Sequence, residues 1–86
     1  FMKRIIGLPL EKVEIQGDKV LINGQALNES YVKGDTPGDY SVTLTQDQYF
    51  VLGDNRTQSL DSRIFGPIIK SNIQGKILYN FSDLIK

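Results

Sequence analysis

Two turn dipeptides place strong limits on how this chain can fold. Gly17-Asp18 and Asn23-Gly24 separate three short runs, Lys12–Gln16, Lys19–Ile22 and 25–27. Asn-Gly between β-rich runs is the strongest short hairpin signal, because both turn residues must tolerate positive φ. The run 12–16 alternates polar and apolar residues, as a half-buried strand does. Residues 12–27 therefore predict a meander of short antiparallel strands.

The rest of the chain repeats this pattern of short β-rich runs. The run 49–52 is apolar throughout, which indicates a strand buried on both faces. The chain has 86 residues, which suits one small domain, 1–86. We predict an all-β class, a twisted multi-strand β domain or partial barrel without a helix of ordinary length. Beyond the meander, the predicted strands are 2–8, 40–45, 49–52, 64–69 and 76–79, with one helical turn at 70–74.

Composition excludes several classes of function. Ten basic and ten acidic residues give no net charge, which argues against a nucleic-acid-binding protein. The chain has no cysteine and no histidine, which removes disulfides, a Ser-His-Asp triad and most zinc sites. A catalytic base must therefore be a carboxylate or a lysine, and we expect no metal or cofactor. No run is long enough to span a membrane.

The most specific segment, here called the signature segment, is 53–63, Gly-Asp-Asn-Arg-Thr-Gln-Ser-Leu-Asp-Ser-Arg. A solvated loop has no need of interleaved charges, whereas a loop that holds one hydroxyl in a fixed orientation does. The segment resembles the Gly-Asp-Asn-Arg-x-x-Ser-x-Asp-Ser-Arg box of type I signal peptidases. Its guanidinium groups and oxygen acceptors are Arg56, Arg63, Asp54, Ser59 and Asp61.

A second segment, here called the lysine box, supports the same resemblance. Residues 3–9, Lys-Arg-Ile-Ile-Gly-Leu-Pro, are similar to the family's box that carries its general-base lysine. The two boxes occur in the family's order, and the resemblance covers 3–76. It implies the coiled all-β fold of that family. Smaller matches lie at 20–24, 28–31 and 73–76.

Lys3 is the predicted catalytic residue. A lysine amine is protonated at neutral pH and cannot accept a proton, but burial among apolar groups disfavours the charged form of a lysine. A neutral lysine can then deprotonate a serine. The resemblance implies that Lys3 is the general base and that the Ser59 hydroxyl orients it without being the nucleophile. Residues 1–9 taken alone would instead indicate a lysine snorkelling from a strand end.

The resemblance also predicts two supporting ion pairs. Asp61 and Arg63 are two apart and would face the same side of an extended backbone. Asp54 would pair with Arg4 and so join the two boxes. Carboxylate and planar guanidinium hold each other in a fixed geometry, which suits an orienting role. The alternative is ordinary surface ion pairs, which contribute little. For Arg56 the sequence suggests only loop hydrogen bonding.

The chain departs from the family pattern in three places. The family's nucleophile is a serine in a Ser-Met-x-Pro-type segment, which follows a membrane anchor and precedes the lysine. This sequence begins at Phe1 and does not include such a segment. We therefore expect this chain to be a soluble, inactive piece of a longer protein, with exposed strand edges that favour self-association. Leu10-Glu11 stands where the family has Gly-Asp, so we expect the turn there to differ. Ser30 replaces a proline.

The leading interpretation is the catalytic core of a type I signal peptidase, a serine endopeptidase. The intact protein would remove signal peptides from exported preproteins after small residues at the −1 and −3 positions. It would act at the extracytoplasmic face of the cell membrane, with the substrate docked as an extended strand.

Two other interpretations remain open. One is a self-cleaving repressor-type Ser-Lys domain, which the signature segment disfavours. The other is a non-catalytic β module that binds extended peptides or partner proteins, which Leu10 and the missing nucleophile favour. A serine encoded upstream in the parent gene would separate the peptidase from this module.

Overall fold

Eight short strands and one short helix form the described part of the computed structural model, which covers residues 2–28, 36–57, 60–69, 71 and 78–81. Hydrogen bonds join the strands into two four-stranded sheets, so the predicted all-β class is confirmed. The helix, α1, is Ser62–Phe65. The strands are β1 (Met2–Gly7), β2 (Lys12–Gln16), β3 (Lys19–Ile22), β4 (Gln25–Ala26), β5 (Tyr40–Thr43), β6 (Gln48–Leu52), β7 (Ile68–Ile69) and β8 (Leu78–Phe81).

The predicted meander forms most of the sheet ordered β4-β3-β2-β5. Gly17 and Asp18 have φ values of 54° and 67°, and Asn23 and Gly24 have 51° and 84°. Positive φ at both central residues is the turn geometry that matches the twist of paired strands. The three predicted strands of the meander are confirmed, and β5 pairs antiparallel with the other edge of β2.

The other sheet, ordered β7-β6-β1-β8, places the lysine box in its centre. β1 runs antiparallel to β6, with Arg4 opposite Leu52, and parallel to β8. Within the described ranges, β7 pairs with β6 at Gln48 and Tyr49. The strand that carries the lysine box therefore lies directly beside the strand that leads into the signature segment.

Two apolar clusters occupy the two faces of the sheet ordered β7-β6-β1-β8. The larger one lies between the sheets and contains Ile6, Val13, Ile15, Val20, Ile22, Leu44, Phe50 and Leu52. The smaller one contains Ile5, Val51 and Ile68, with Leu8 and Tyr49 packed against it. Side chains alternate along a strand, so β1 and β6 contribute to both clusters. Residues 50–52 are fully buried, which confirms the predicted two-sided burial of β6.

The predicted strand over 64–69 is wrong in its first half, where α1 forms. Asp61 is the N-cap of this helix, and its Oδ1 accepts a hydrogen bond from the Arg63 N–H at 3.1 Å. The N–H groups of Ile64 and Phe65 both donate to the Asp61 carbonyl, at 2.8 and 3.1 Å. Aspartate is a strong N-cap residue, and this local bonding overrides the apolar pattern. Only Ile68–Ile69 remains a strand.

Other strand boundaries differ by a few residues. The strand predicted over 40–45 ends at Thr43, and the one predicted over 49–52 begins at Gln48. The last strand is Leu78–Phe81, and residues 76–77 lie outside the described part. The helical turn predicted at 70–74 lies outside it as well, apart from Ser71. Within the described ranges, no helix has the length and hydropathy needed to cross a membrane.

The turn after the lysine box is closed by its own residues. The Glu11 N–H donates to the Leu8 carbonyl at 3.1 Å, and the Leu8 N–H donates to Glu11 Oε1 at 2.7 Å. Between them, Leu10 has a φ of 72° and is 70% exposed. Positive φ at this turn position is normally met by glycine, because a Cβ atom crowds the backbone there. Leu10 therefore carries local backbone strain.

A Leu10→Gly variant is expected to raise the free energy of unfolding by about 0.5–1 kcal/mol. The left-handed conformation costs a leucine roughly 1–2 kcal/mol. Part of the gain from removing this strain is lost, because an unfolded glycine has more conformational entropy to lose on folding. Urea denaturation of the two chains measures the difference. Asp18→Gly is the matched control, because Asp18 also has positive φ, at 67°, but aspartate tolerates it better. Equal shifts in both variants would contradict strain at Leu10.

Candidate active site

Lys3 is buried in β1, an inner strand of the sheet ordered β7-β6-β1-β8. Only 8% of the residue is exposed, although lysine is rarely buried this deeply. It is two residues from Ile5 in β1, so both side chains leave the same face of the strand. That face carries the smaller apolar cluster, in which Ile5 and Val51 are fully buried. The predicted base therefore lies on an apolar face of this sheet, in strand β1, which is flanked by β6 and β8.

Arg4 and Asp54 form the pair predicted to join the lysine box to the signature segment. Arg4 Nε donates to Asp54 Oδ1 at 2.8 Å, and Nη2 donates to Oδ2 at 2.9 Å. The contact is bidentate, which fixes the relative orientation of the two planar groups. The two side chains are partly exposed, 23% and 40%. The residue next to Lys3 is thus tied to the residue that follows Gly53.

Asp61 and Arg63 also form the predicted pair, but the backbone between them is the start of a helix and not an extended strand. Arg63 Nε and Nη2 donate to the two carboxylate oxygens of Asp61 at 2.9 and 2.8 Å. The sequence predicts extended backbone here, whereas Ser62 and Arg63 are helical and the guanidinium folds back over its N-cap. Asp61 is fully buried, so the pair is largely shielded from solvent.

The side chains of Asp61 and Ser62 also complete the edge of β6. The Val51 N–H donates to Ser62 Oγ at 2.9 Å, and the Gly53 N–H donates to Asp61 Oδ2 at 3.0 Å. Donors two residues apart point to the same edge of a strand, and among the described residues β7 pairs with the first part of that edge. The side-chain oxygens satisfy the two buried N–H groups farther along it. Sequence reasoning assigned Ser62 no role.

For Arg56, sequence reasoning suggested only loop hydrogen bonding and missed its burial. Its side chain is the largest of the fully buried ones in the described part of the chain, with 1% of the residue exposed. Nε donates to the Gly53 carbonyl at 2.7 Å, and Nη1 donates to Thr36 Oγ1 at 3.2 Å. The only sequence signal was its place among the interleaved charges. Its partner Thr36 is distant in the chain and gave no signal.

Ser59 lies outside the described residues, as does Gln58. The hydrogen bond between Ser59 and Lys3 therefore stays a prediction. Of the other predicted site residues, the structure brings Arg4 and Asp54 together beside Lys3, and it places Asp61 and Arg63 at the base of the same segment. The arrangement can hold a buried amine in one position next to a loop braced by two ion pairs.

Comparison with known proteins identifies the family of this chain. A family model described as signal peptidase, peptidase S26, matches residues 1–81. Signal peptidase I of Leptolyngbya laminosa is 44% identical over 84 residues, which cover 94% of this chain and 40% of that protein. Signal peptidase I V of Bacillus subtilis (strain 168) is 37% identical over 91 residues, which cover 88% of this chain and 54% of that protein.

A solved structure shares the fold. The crystal structure of a signal peptidase I from Enterococcus faecalis V583 superposes with a TM-score of 0.73 at 37% sequence identity, covering 85% of this chain and 78% of that one. The chain spans 40% and 54% of the length of the two relatives above. The range that the family model matches contains both the lysine box and the signature segment. The chain therefore belongs to the signal peptidase family, peptidase S26.

Proposed function

We propose that these 86 residues are the core of a signal peptidase I, a serine endopeptidase that removes signal peptides from exported preproteins. The intact protein would act at the extracytoplasmic face of the cell membrane, after small residues of the substrate. Lys3 is the general base in this proposal, and Ser59 orients it. The nucleophilic serine is assigned to the protein segment that precedes the lysine box.

The observation that carries the proposal is the burial of Lys3 beside the Arg4–Asp54 pair. A general base must be held within hydrogen-bonding reach of the proton that it removes. A lysine that is 8% exposed in a central strand cannot sample many directions. Because Arg4 is bonded to Asp54 through two contacts, the backbone next to the amine is also fixed against the signature segment. These features support a base with a set orientation.

The proposed reaction needs no group beyond the serine, the lysine and water. In this proposal the amine of Lys3 takes the proton from the serine Oγ, which attacks the carbonyl carbon of the scissile peptide bond. The resulting ammonium then protonates the leaving amine, and an acyl-enzyme ester remains. Water, deprotonated by the same lysine, attacks the ester carbon, and the lysine gives that proton to the departing serine Oγ, which restores the serine hydroxyl.

The test is cleavage of a preprotein by the complete product of the gene, reconstituted in lipid vesicles. We expect release of the mature protein when alanine precedes the cleavage point, with the new N-terminus identified by mass spectrometry. The matched control is the same preprotein with tryptophan at that position, which we expect to stay intact. A complete product that binds the first preprotein but never cleaves it would contradict the proposal and favour a non-catalytic peptide-binding module.

A further inference from the structure

Gly53 is held on both sides by buried side chains of the signature segment. Its N–H donates to Asp61 Oδ2 at 3.0 Å, and its carbonyl accepts from Arg56 Nε at 2.7 Å. Gly53, Arg56 and Asp61 are all buried. Hydrogen bonds to charged groups are stronger than neutral ones. The peptide units at the end of β6 are therefore fixed by one cation and one anion.

The same guanidinium reaches across to the connection that enters the second sheet. Arg56 Nη1 donates to Thr36 Oγ1 at 3.2 Å, and Thr36 is 2% exposed. Thr36 precedes β5, which belongs to the sheet ordered β4-β3-β2-β5. One side chain thus joins the end of β6 in the first sheet to a segment of the second. A planar fork with several donors can make both contacts, whereas the point charge of a lysine cannot.

Gly53 is also the residue through which this bracing reaches the proposed base. It directly precedes Asp54, which holds Arg4 through two bonds, and Arg4 directly follows Lys3. We propose that Arg56 is a positioning residue: through Gly53 and the Asp54–Arg4 pair, it fixes the position of the Lys3 amine. This inference rests on the proposed function for its catalytic meaning, but the geometric claim can be tested separately.

The first test uses the 86-residue chain and needs no enzyme activity. Acetylation of each lysine by acetic anhydride is followed by peptide mass spectrometry, with exposed Lys12 and Lys19 as internal references. In the parent chain we expect Lys3 to react more slowly than either reference. Arg56→Met is expected to raise the rate at Lys3 relative to the references several-fold. Arg56→Lys is expected to behave like Arg56→Met.

A matched control separates positioning from general loss of stability. Val20→Ala removes buried methyl groups from the core between the sheets and makes no change at Gly53. At a urea concentration where circular dichroism shows both variants folded, we expect Val20→Ala to leave the relative rate at Lys3 unchanged. If Lys3 is acetylated no faster, relative to the reference lysines, in the Arg56→Met variant than in the Val20→Ala variant, the positioning role is overturned.

The second test uses the complete gene product and the alanine-containing preprotein. We expect Arg56→Met to lower kcat about 100-fold with little change in KM, because a small misplacement of a reacting group has an effect of this size. A fall in kcat/KM that came only from a higher KM would contradict positioning of the base. If the unmodified product cleaves nothing, the proposed function fails, whereas the labelling result still decides whether Arg56 positions Lys3.

Discussion

Replacing Lys3 by methionine is expected to lower preprotein cleavage by the complete gene product about 10⁴-fold, because a positioned base contributes up to about that factor. Without the amine, nothing in the proposed site takes the proton from the serine, and nothing returns a proton to the leaving nitrogen. The loss should appear in kcat, since Lys3 takes part in the chemical step and is not assigned to binding. Single-turnover kinetics with excess enzyme measure this step directly.

The same variant should remain folded. Lys3 is 8% exposed and lies on the face that carries the fully buried Ile5 and Val51. Methionine is an apolar residue of similar length, and its flexible side chain adapts to an apolar face. We therefore expect the free energy of unfolding of Lys3→Met to stay close to that of the parent chain.

Lys19→Met is the matched control for this experiment. Lys19 is exposed at the start of β3, in the other sheet, so the substitution should leave cleavage unchanged. A Lys3→Met protein that cleaves within a few-fold of the parent rate would refute the role of general base. An inactive Lys3→Met protein that is also unfolded would not support the prediction either, which is why urea denaturation accompanies the kinetics.

The second large effect is expected on stability. An Asp61→Asn variant should lose about 3–5 kcal/mol, the usual effect of removing one partner of a buried ion pair. Asp61 accepts from Arg63 and from the Gly53 N–H, and it is fully buried. The asparagine amide nitrogen is a donor, and in either orientation it would face one guanidinium N–H together with the backbone N–H of Arg63 or of Gly53. Two donors would therefore lose their acceptor.

This loss is large compared with the total stability of so small a domain. Domains typically have about 0.05–0.15 kcal/mol of stability per residue, which gives roughly 4–13 kcal/mol for 86 residues. Urea denaturation at fixed temperature should show a midpoint shifted strongly to lower concentration. Asp47→Asn is the matched control, because Asp47 is exposed and its Oδ1 accepts a hydrogen bond from Thr45 Oγ1 at 2.7 Å.

A double-mutant cycle with Arg63→Met tests the cause. If the pair is responsible, removing both partners should destabilise the protein less than the sum of the two single changes, because no buried charge is left uncompensated. Additive effects, or a loss at Asp61→Asn no larger than at Asp47→Asn, would show that the ion pair does not stabilise the fold.

Much of the strand pattern follows from local chemistry. Gly17-Asp18 and Asn23-Gly24 are among the residue pairs that accept positive φ most easily, so the turns form wherever these pairs stand. The alternation in 12–16 then determines which side of β2 is buried. The two ion pairs could also be predicted, because the signature segment and the lysine box place opposite charges at characteristic positions.

The predicted strand over 64–69 is wrong because Asp61 takes part in both local and more distant hydrogen bonds. Apolar residues on both sides of Gly66-Pro67 indicate a strand, but Asp61 offers the competing chemistry of a helix N-cap. Its carboxylate is also needed by the Gly53 N–H, eight positions earlier in the chain. That requirement holds Asp61 in place and favours the turn of helix that follows, and it is invisible to a window of neighbouring residues.

The sequence by itself determined the all-β class, the hairpins and the identity of the charged groups around the proposed base, since each depends on residues close together or on a specific motif. Only the tertiary structure decided that Lys3 is buried and that Arg56 joins Gly53 to Thr36. Burial and such bridges depend on which distant segments pack together. A guanidinium looks the same in sequence whether solvent or a buried carbonyl receives its hydrogen bonds, and the packing of the two sheets makes that choice.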